Sequence, residues 1–169
     1  MELEFKPVVA GDIDRLRPFY GLRPNKTCDS VFLDSFLWKD YYHVQCAVSE
    51  GRAVLWLMEK DGQVSTAMPL CREEDLPYFF QQMVDYFSGV LHKPFYISLA
   101  DEEAVQCLNL DPALFEVEEQ VDLKDYLYSG EELRKLEGKK FVKKRNHLNG
   151  FKRTYEGRYE YRRLCCSDR

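Results

Sequence analysis

The densest run of side chains able to do chemistry lies late in the chain, where Lys139, Lys140, Lys143, Lys144, Arg145, Asn146, His147, Asn149 and Lys152 crowd together. Between Arg134 and Arg158, ten Lys or Arg face only Glu137 and Glu156, a local charge of +8. The other 14 basic residues face 27 acids, leaving −13 elsewhere and a net charge of −5. Evenly spread charge would only keep a chain soluble, but a basic block on an acidic body makes a directed field that draws in anions. The chemistry this implies is recognition of phosphate or carboxylate. Lysines supply point charges, while arginine and asparagine supply donors of fixed geometry. The competing reading is a solvated helix face whose lysines offset nearby acids. Arg145, flanked by Phe141 and Leu148 at helical spacing, has two open readings: a ligand-binding residue, or a partly buried one paired with a carboxylate.

Elsewhere the chemistry is thinner. His147 is a candidate acid or base, but a structural or phosphate-facing role fits a lone histidine in a basic helix better. His43 and His92 lack patterned partners. The carboxylate groups Glu73-Glu74-Asp75, Asp101-Glu102-Glu103 and Glu131-Glu132 sit at expected helix starts, where they complement the helix dipole. Six cysteines (Cys28, Cys46, Cys71, Cys107, Cys165, Cys166) contain no C-x-x-C pair and lie far in sequence from the histidines, so no metal site is expected. The adjacent pair Cys165-Cys166 cannot readily form an unstrained mutual disulfide. No G-x-x-x-x-G-K-[ST] or G-x-G-x-x-G loop occurs, nor the Q/R-x-x-G-x-G/A loop of acyl-CoA sites; no cofactor is expected, and no catalytic residue is assigned. No apolar run approaches the roughly 20 residues needed to cross a bilayer, and none follows Met1 as a signal would; the expectation is a cytoplasmic protein with reduced thiols and no transmembrane segment.

The elements that would position these residues follow from periodicity and punctuation. At 169 residues with 45% hydrophobic and 31% charged side chains, the chain fits a single domain with one core. A strand is expected over Met1–Val9, then a short helix Ile13–Tyr20 broken by Pro18, then a helix Val31–Trp38 capped by Asp29-Ser30. Three β-rich runs, His43–Ser49, Ala53–Glu59 and Gln63–Leu70, are separated by Glu50-Gly51 and Asp61-Gly62 and predict an antiparallel meander. An acid-led helix from Arg72 to about Gly89 should pack its apolar stripe on the sheet. A strand at Phe95–Leu99, a helix at Glu102–Leu108 capped by Asp101, and a strand at Phe115–Leu123 come next. Ser129 caps a helix with Glu132 in the capping-box position, Gly138 ends it, and the basic helix runs from Lys139 to Tyr155 before Gly157. Tyr159–Leu164 reads as a closing strand. The fold class is α/β (α+β): a mixed sheet with an antiparallel three-strand meander and flanking helices.

The stretch Gly138-Lys139-Lys140-Phe141-Val142-Lys143-Lys144-Arg145-Asn146-His147-Leu148-Asn149-Gly150-Phe151 resembles the G-K-K-x-x-x-K-R-N-x-x-N-x-F signature of the bacterial phosphatidylglycerol lysyltransferase C-terminal-like family. Tyr126-Leu127-Tyr128-Ser129 and Leu33-Asp34-Ser35-Phe36-Leu37-Trp38 resemble it too. The resemblance implies two GNAT-like lobes in tandem, related to aminoacyl-tRNA-dependent transferases, and the element order above is similar to one such lobe. Residues 1–169 are then expected to form a single GNAT-like lobe, the N-terminal half of the tandem. The implied activity is transfer of an aminoacyl group from charged tRNA to a lipid or other acceptor, with tRNA or another phosphate-rich ligand on Lys139, Lys140, Lys143, Lys144, Arg145, Asn146, His147, Asn149 and Lys152. The lobe alone is expected to be inactive. The alternative is a non-catalytic interaction module that forms a homodimer, through an edge strand at Tyr159–Leu164, or docks on an acidic partner. A role at an anionic membrane surface ranks behind both.

Overall fold

A computed structural model of the chain describes residues 3–23, 31–98, 100–163 and 165. Two compact units are resolved, residues 1–123 and 124–169.

The first unit is built on a four-stranded antiparallel sheet in the order β1 (Lys6–Pro7), β2 (Gln45–Ser49), β3 (Ala53–Lys60), β4 (Gln63–Ser65). The meander expected from the two Gly turns is present. Asp61 and Gly62 form a two-residue loop with φ of 52° and 81°, the positive values that a type I′ hairpin demands. Glu50 and Gly51 are likewise positive at 53° and 67°, and the amide of Arg52 donates to the Ser49 carbonyl at 3.0 Å, adding a third residue to that loop.

Strand β3 reads Ala-Val-Leu-Trp-Leu-Met and is buried on both faces, which is why it is continuously apolar rather than alternating. Ala53 and Leu55 face one cluster with Leu76, Phe79, Met83 and Phe87 of the following helix; Val54 and Trp56 face another with Val8, Leu16, Val44 and Leu70. Helix α1 (Ile13–Leu16) continues as a 3₁₀ turn over Arg17–Gly21, where Pro18 lies, and α2 is Phe32–Leu37; the expected cap Asp29-Ser30 lies outside the described residues, as do Cys28 and Cys166. Helix α3 (Leu76–Tyr86) follows an acidic 3₁₀ turn at Glu73–Asp75 and overruns Gly89 as a π turn, Phe87–Leu91, closed by His92 at φ 53°. Phe79 and Phe87 are fully buried, each worth about 1.5–3 kcal/mol in transfer from water. Helix α4 (Glu102–Leu108) starts where Asp101 accepts from the Ala104 amide at 2.9 Å.

Five expected strands are markedly shorter or absent among the described residues, for physical reasons. Of the first, Lys6–Pro7 is strand among the described residues, extended by a bond from the Val8 amide to the Val44 carbonyl, and Met1 and Glu2 lie outside them. The run Gln63–Leu70 leaves the ladder after Ser65, because Thr66 turns its hydroxyl to the Trp56 carbonyl (2.7 Å); Leu70 returns as an isolated antiparallel bridge to Val54. Pro69, between them, has no amide to donate. Phe95–Leu99 contributes one parallel bridge, Ile97 to Thr66, and Leu99 lies outside the described residues. The crossover through α3 therefore gives the expected parallel direction without a parallel ladder. Residues 115–120 are irregular, followed by a 3₁₀ turn at Val121–Leu123; Phe115 alone turns inward, against Phe80 and Phe95 at 5.5 and 6.5 Å. Residues 159–163 are irregular and exposed rather than a strand. Alternating sequence forms a strand only where a neighbour offers free backbone groups, and among the described residues 115–120 and 159–163 pair with no strand.

The second unit holds α5 (Gly130–Lys135), a 3₁₀ turn at Lys139–Phe141 and α6 (Val142–Thr154).

Candidate anion-binding helix

Helix α5 starts where the sequence places it: Ser129 Oγ accepts from the Glu132 amide at 3.3 Å, and Glu131 pairs with Lys135 one turn on at 2.7 Å. It ends earlier than Gly138, with Leu136 adopting the left-handed conformation at φ 51°. Gly138, at φ 83°, instead precedes the Lys139–Phe141 turn, a backbone position that a side chain would strain.

Arg145 holds this corner. Its Nη1 donates to the Leu136 carbonyl and, at 2.9 Å, to the Gly138 carbonyl, and the side chain is half-buried. Of the two readings left open for Arg145, the structure places it in a partly buried position, with carbonyls rather than a carboxylate as partners. The Leu136 carbonyl lies at the α5 terminus, where the guanidinium supplies a donor, while the Gly138 carbonyl also accepts from the Phe141 amide at 3.4 Å. Phe141, 4% exposed, anchors the start of α6.

The other basic residues divide by partner. Lys140 reaches Glu132 at 2.7 Å and lies over the Phe141 ring at 5.2 Å. Lys144 stands over Tyr128 at 5.8 Å. Lys139, Lys143, Asn146, His147, Asn149 and Lys152 are exposed and, among the described residues, have no ion pair or side-chain hydrogen bond. Arg153 is in the same state. Most of the cations gathered here are therefore not paired with an acid among the described residues.

Their placement also inverts the usual logic of a helix. The N-terminus of a helix carries positive partial charge and favours acids, each misplaced cation costing about 0.3–1 kcal/mol at low salt. Helix α4 obeys, with Glu102 and Glu103 in its first turn. The first turn of α6 has no acid, and Lys139, Lys140, Lys143 and Lys144 gather around it. Such a concentration of like charge is relieved by a bound anion. At the far end, Lys152, Arg153, Glu156, Gly157 and Tyr159 line an open depression of about 530 Å³.

Elsewhere, the carboxylate groups singled out in the sequence sit in first turns: Glu73–Asp75 before α3, Asp101–Glu103 at α4, Glu131 and Glu132 in α5. His92 Nδ1 lies 3.0 Å from the Ser88 carbonyl, a helix-closing contact. Cys46 and Cys71 are buried, and burial pushes both thiols above their ordinary range, which makes them poor nucleophiles. Among the described residues no group of three metal-binding side chains converges. Among the described residues no helix is long and apolar enough to cross a membrane.

Sequence reasoning missed one buried ion pair. Arg23, 6% exposed, donates from Nη1 to both carboxylate oxygens of Asp101 at 3.0 Å, so the α4 cap is also a charge partner. The two are separated by 78 positions, and no short-range signal marks the pairing.

Comparison with known proteins agrees on lineage. The family described as phosphatidylglycerol lysyltransferase, C-terminal, matches residues 21–168. No curated protein matches. Among solved structures the chain is similar to a conserved protein of unknown function from Bacteroides thetaiotaomicron, with 25% sequence identity and a TM-score of 0.82, over 97% of this chain and 54% of that one. The chain thus spans about half the length of that protein.

Proposed function

Because the chain belongs to the phosphatidylglycerol lysyltransferase C-terminal family, we propose that it is a GNAT-like lobe of an aminoacyltransferase and that α6 receives the phosphates of the charged tRNA. The single observation that carries this reading is the set of exposed, unneutralised cations on and before α6, Lys139, Lys143 and Lys152 among them, at a helix start that repels its own charges. Lys139, Lys140, Lys143, Lys144, Asn146, His147, Asn149 and Lys152 would meet the phosphates, while Arg145 holds the turn that aims them. The lobe would supply binding, with the transfer chemistry completed by a second lobe; the twofold length of the Bacteroides relative supports a tandem arrangement. No cofactor is assigned to the lobe.

Fluorescence anisotropy with labelled total tRNA between 50 and 200 mM salt tests this. Binding should weaken steeply with salt, and Lys143→Gln with Lys144→Gln should each lower the slope of log K against log salt by about 0.7–0.9. Absence of any binding by the unaltered protein at 50 mM salt overturns the reading.

A second reading, a module that docks on another protein or on its own copy, has one observation in its favour: Leu148, Phe151 and Tyr155 form a stripe on α6, 42%, 46% and 45% exposed. Sedimentation would then show a dimer or a captured acidic partner. The edge strand once expected to drive dimerisation is irregular over 159–163.

A further inference from the structure

Gly150 sits in the middle of α6, where glycine is the least favourable residue after proline, and nothing in the chain requires it there. A Cβ at this position would meet no atom within 4 Å, and Gly150 is not among the residues of positive φ. Neither packing nor backbone geometry accounts for the missing side chain. Its helical neighbours do suggest a reason. Asn146 and His147 lie one turn before it, Arg153 and Thr154 one turn after, and Lys143 two turns before, so all share its face with Cβ atoms of adjacent turns about 5–6 Å apart. Each is exposed, and none makes a side-chain hydrogen bond or ion pair among the described residues. The face is a notch floored by bare backbone and rimmed by two cations, an imidazole, an amide and a hydroxyl.

We propose that the sugar–phosphate backbone of an RNA strand crosses α6 at Gly150, held by Lys143 and His147 on one side and Arg153 on the other. The inference rests on the anion-binding reading of α6 and adds where and how closely the strand approaches. Glycine is selected where a backbone must come near a ligand. The donors from Lys143 to Arg153 span about 15 Å of helix axis, longer than one isolated phosphate can use. Their mixture is that of phosphate and sugar contacts, where Lys, Arg, Asn and Thr dominate. A bilayer fits this face less well. An amphipathic helix on a membrane buries its apolar side, here Leu148, Phe151 and Tyr155, and points the opposite face to water, where a notch would serve nothing.

The test uses the full chain with Gly150→Ala and Gly150→Gln. Both replacements favour the helix, so thermal denaturation should show unchanged or raised Tm for each. Binding to labelled total tRNA at 100 mM salt should nevertheless weaken, about threefold for Ala and about tenfold or more for Gln, with the salt slope unchanged because no charge is removed. Raised Tm with tRNA affinity unchanged overturns the notch while leaving the anion-binding reading intact. Loss of tRNA binding already in the unaltered protein sinks that reading instead. In a parallel arm, sedimentation with phosphatidylglycerol vesicles should be indifferent to Gly150→Gln; weakened pelleting with unchanged tRNA binding would assign the notch to a lipid headgroup and refute the RNA crossing. Should Gly150→Gln fail to fold, Gly150→Ala, the better helix former, carries the same comparison.

Discussion

Two side chains tie the stability of the first unit to alkaline pH. Burial pushes the Tyr20 hydroxyl from its ordinary 10.0 up to about 12, against a partly opposing contact with Ser35, and it pushes the Cys71 thiol from 9.0 up to about 11. In both the neutral form is favoured by folding, so the native protein keeps protons that the unfolded chain releases. Their contribution is complete below about pH 9 and is lost as pH rises through 11 to 12. Urea denaturation at pH 8 and pH 11.5 should differ by on the order of 2 kcal/mol from these groups together, and Tyr20→Phe should remove part of the difference. A profile with no alkaline decline would contradict the burial of both. The same scale shows what a sequence conceals. Arg145 was marked by its composition, but its true partners are backbone carbonyls, which carry no residue identity to read. Asp101 is legible as a cap, yet its pairing with Arg23 depends on tertiary placement.

At the scale of elements, what was legible is local. The caps at Asp101 and Ser129, the acid-led start of α3, the break at Pro18 and both hairpin turns involve residues within four positions of one another. Residues 95–98, 115–123 and 159–163 form no ladder because pairing depends on a distant edge that alternation cannot announce. The basic helix was legible in extent and charge; its notch was not, because glycine reads first as punctuation. The Asp61-Gly62 turn offers a direct check. A Cβ on Gly62 would touch nothing within 4 Å, so Gly62→Ala should cost about 1 kcal/mol through its φ of 81° alone. Chemical denaturation measures it, and a neutral result would mean the turn relaxes to another type.

For the whole molecule, the two units differ in what holds them. The first encloses two apolar clusters around β3, whereas in the second, Phe141 is the one buried hydrophobic among the described residues. Forty-six residues with so little core have small intrinsic stability. Hydrogen exchange should therefore open α6 amides at least about tenfold faster than those of β3 and α3, and saturating tRNA should slow α6 exchange selectively. Equal protection in the free protein would show that α6 is held by more than its own unit.

The opposed charge of the two regions has a practical corollary. A net value of −5 describes a molecule that no interacting surface ever meets as a whole. A phosphocellulose or heparin matrix should retain this formally acidic protein through the lysines of α6, while a quaternary-amine resin should hold it through the acids elsewhere in the chain. If α6 takes up a polyanion as proposed, the same duality makes the encounter depend on orientation, which is then chosen before contact.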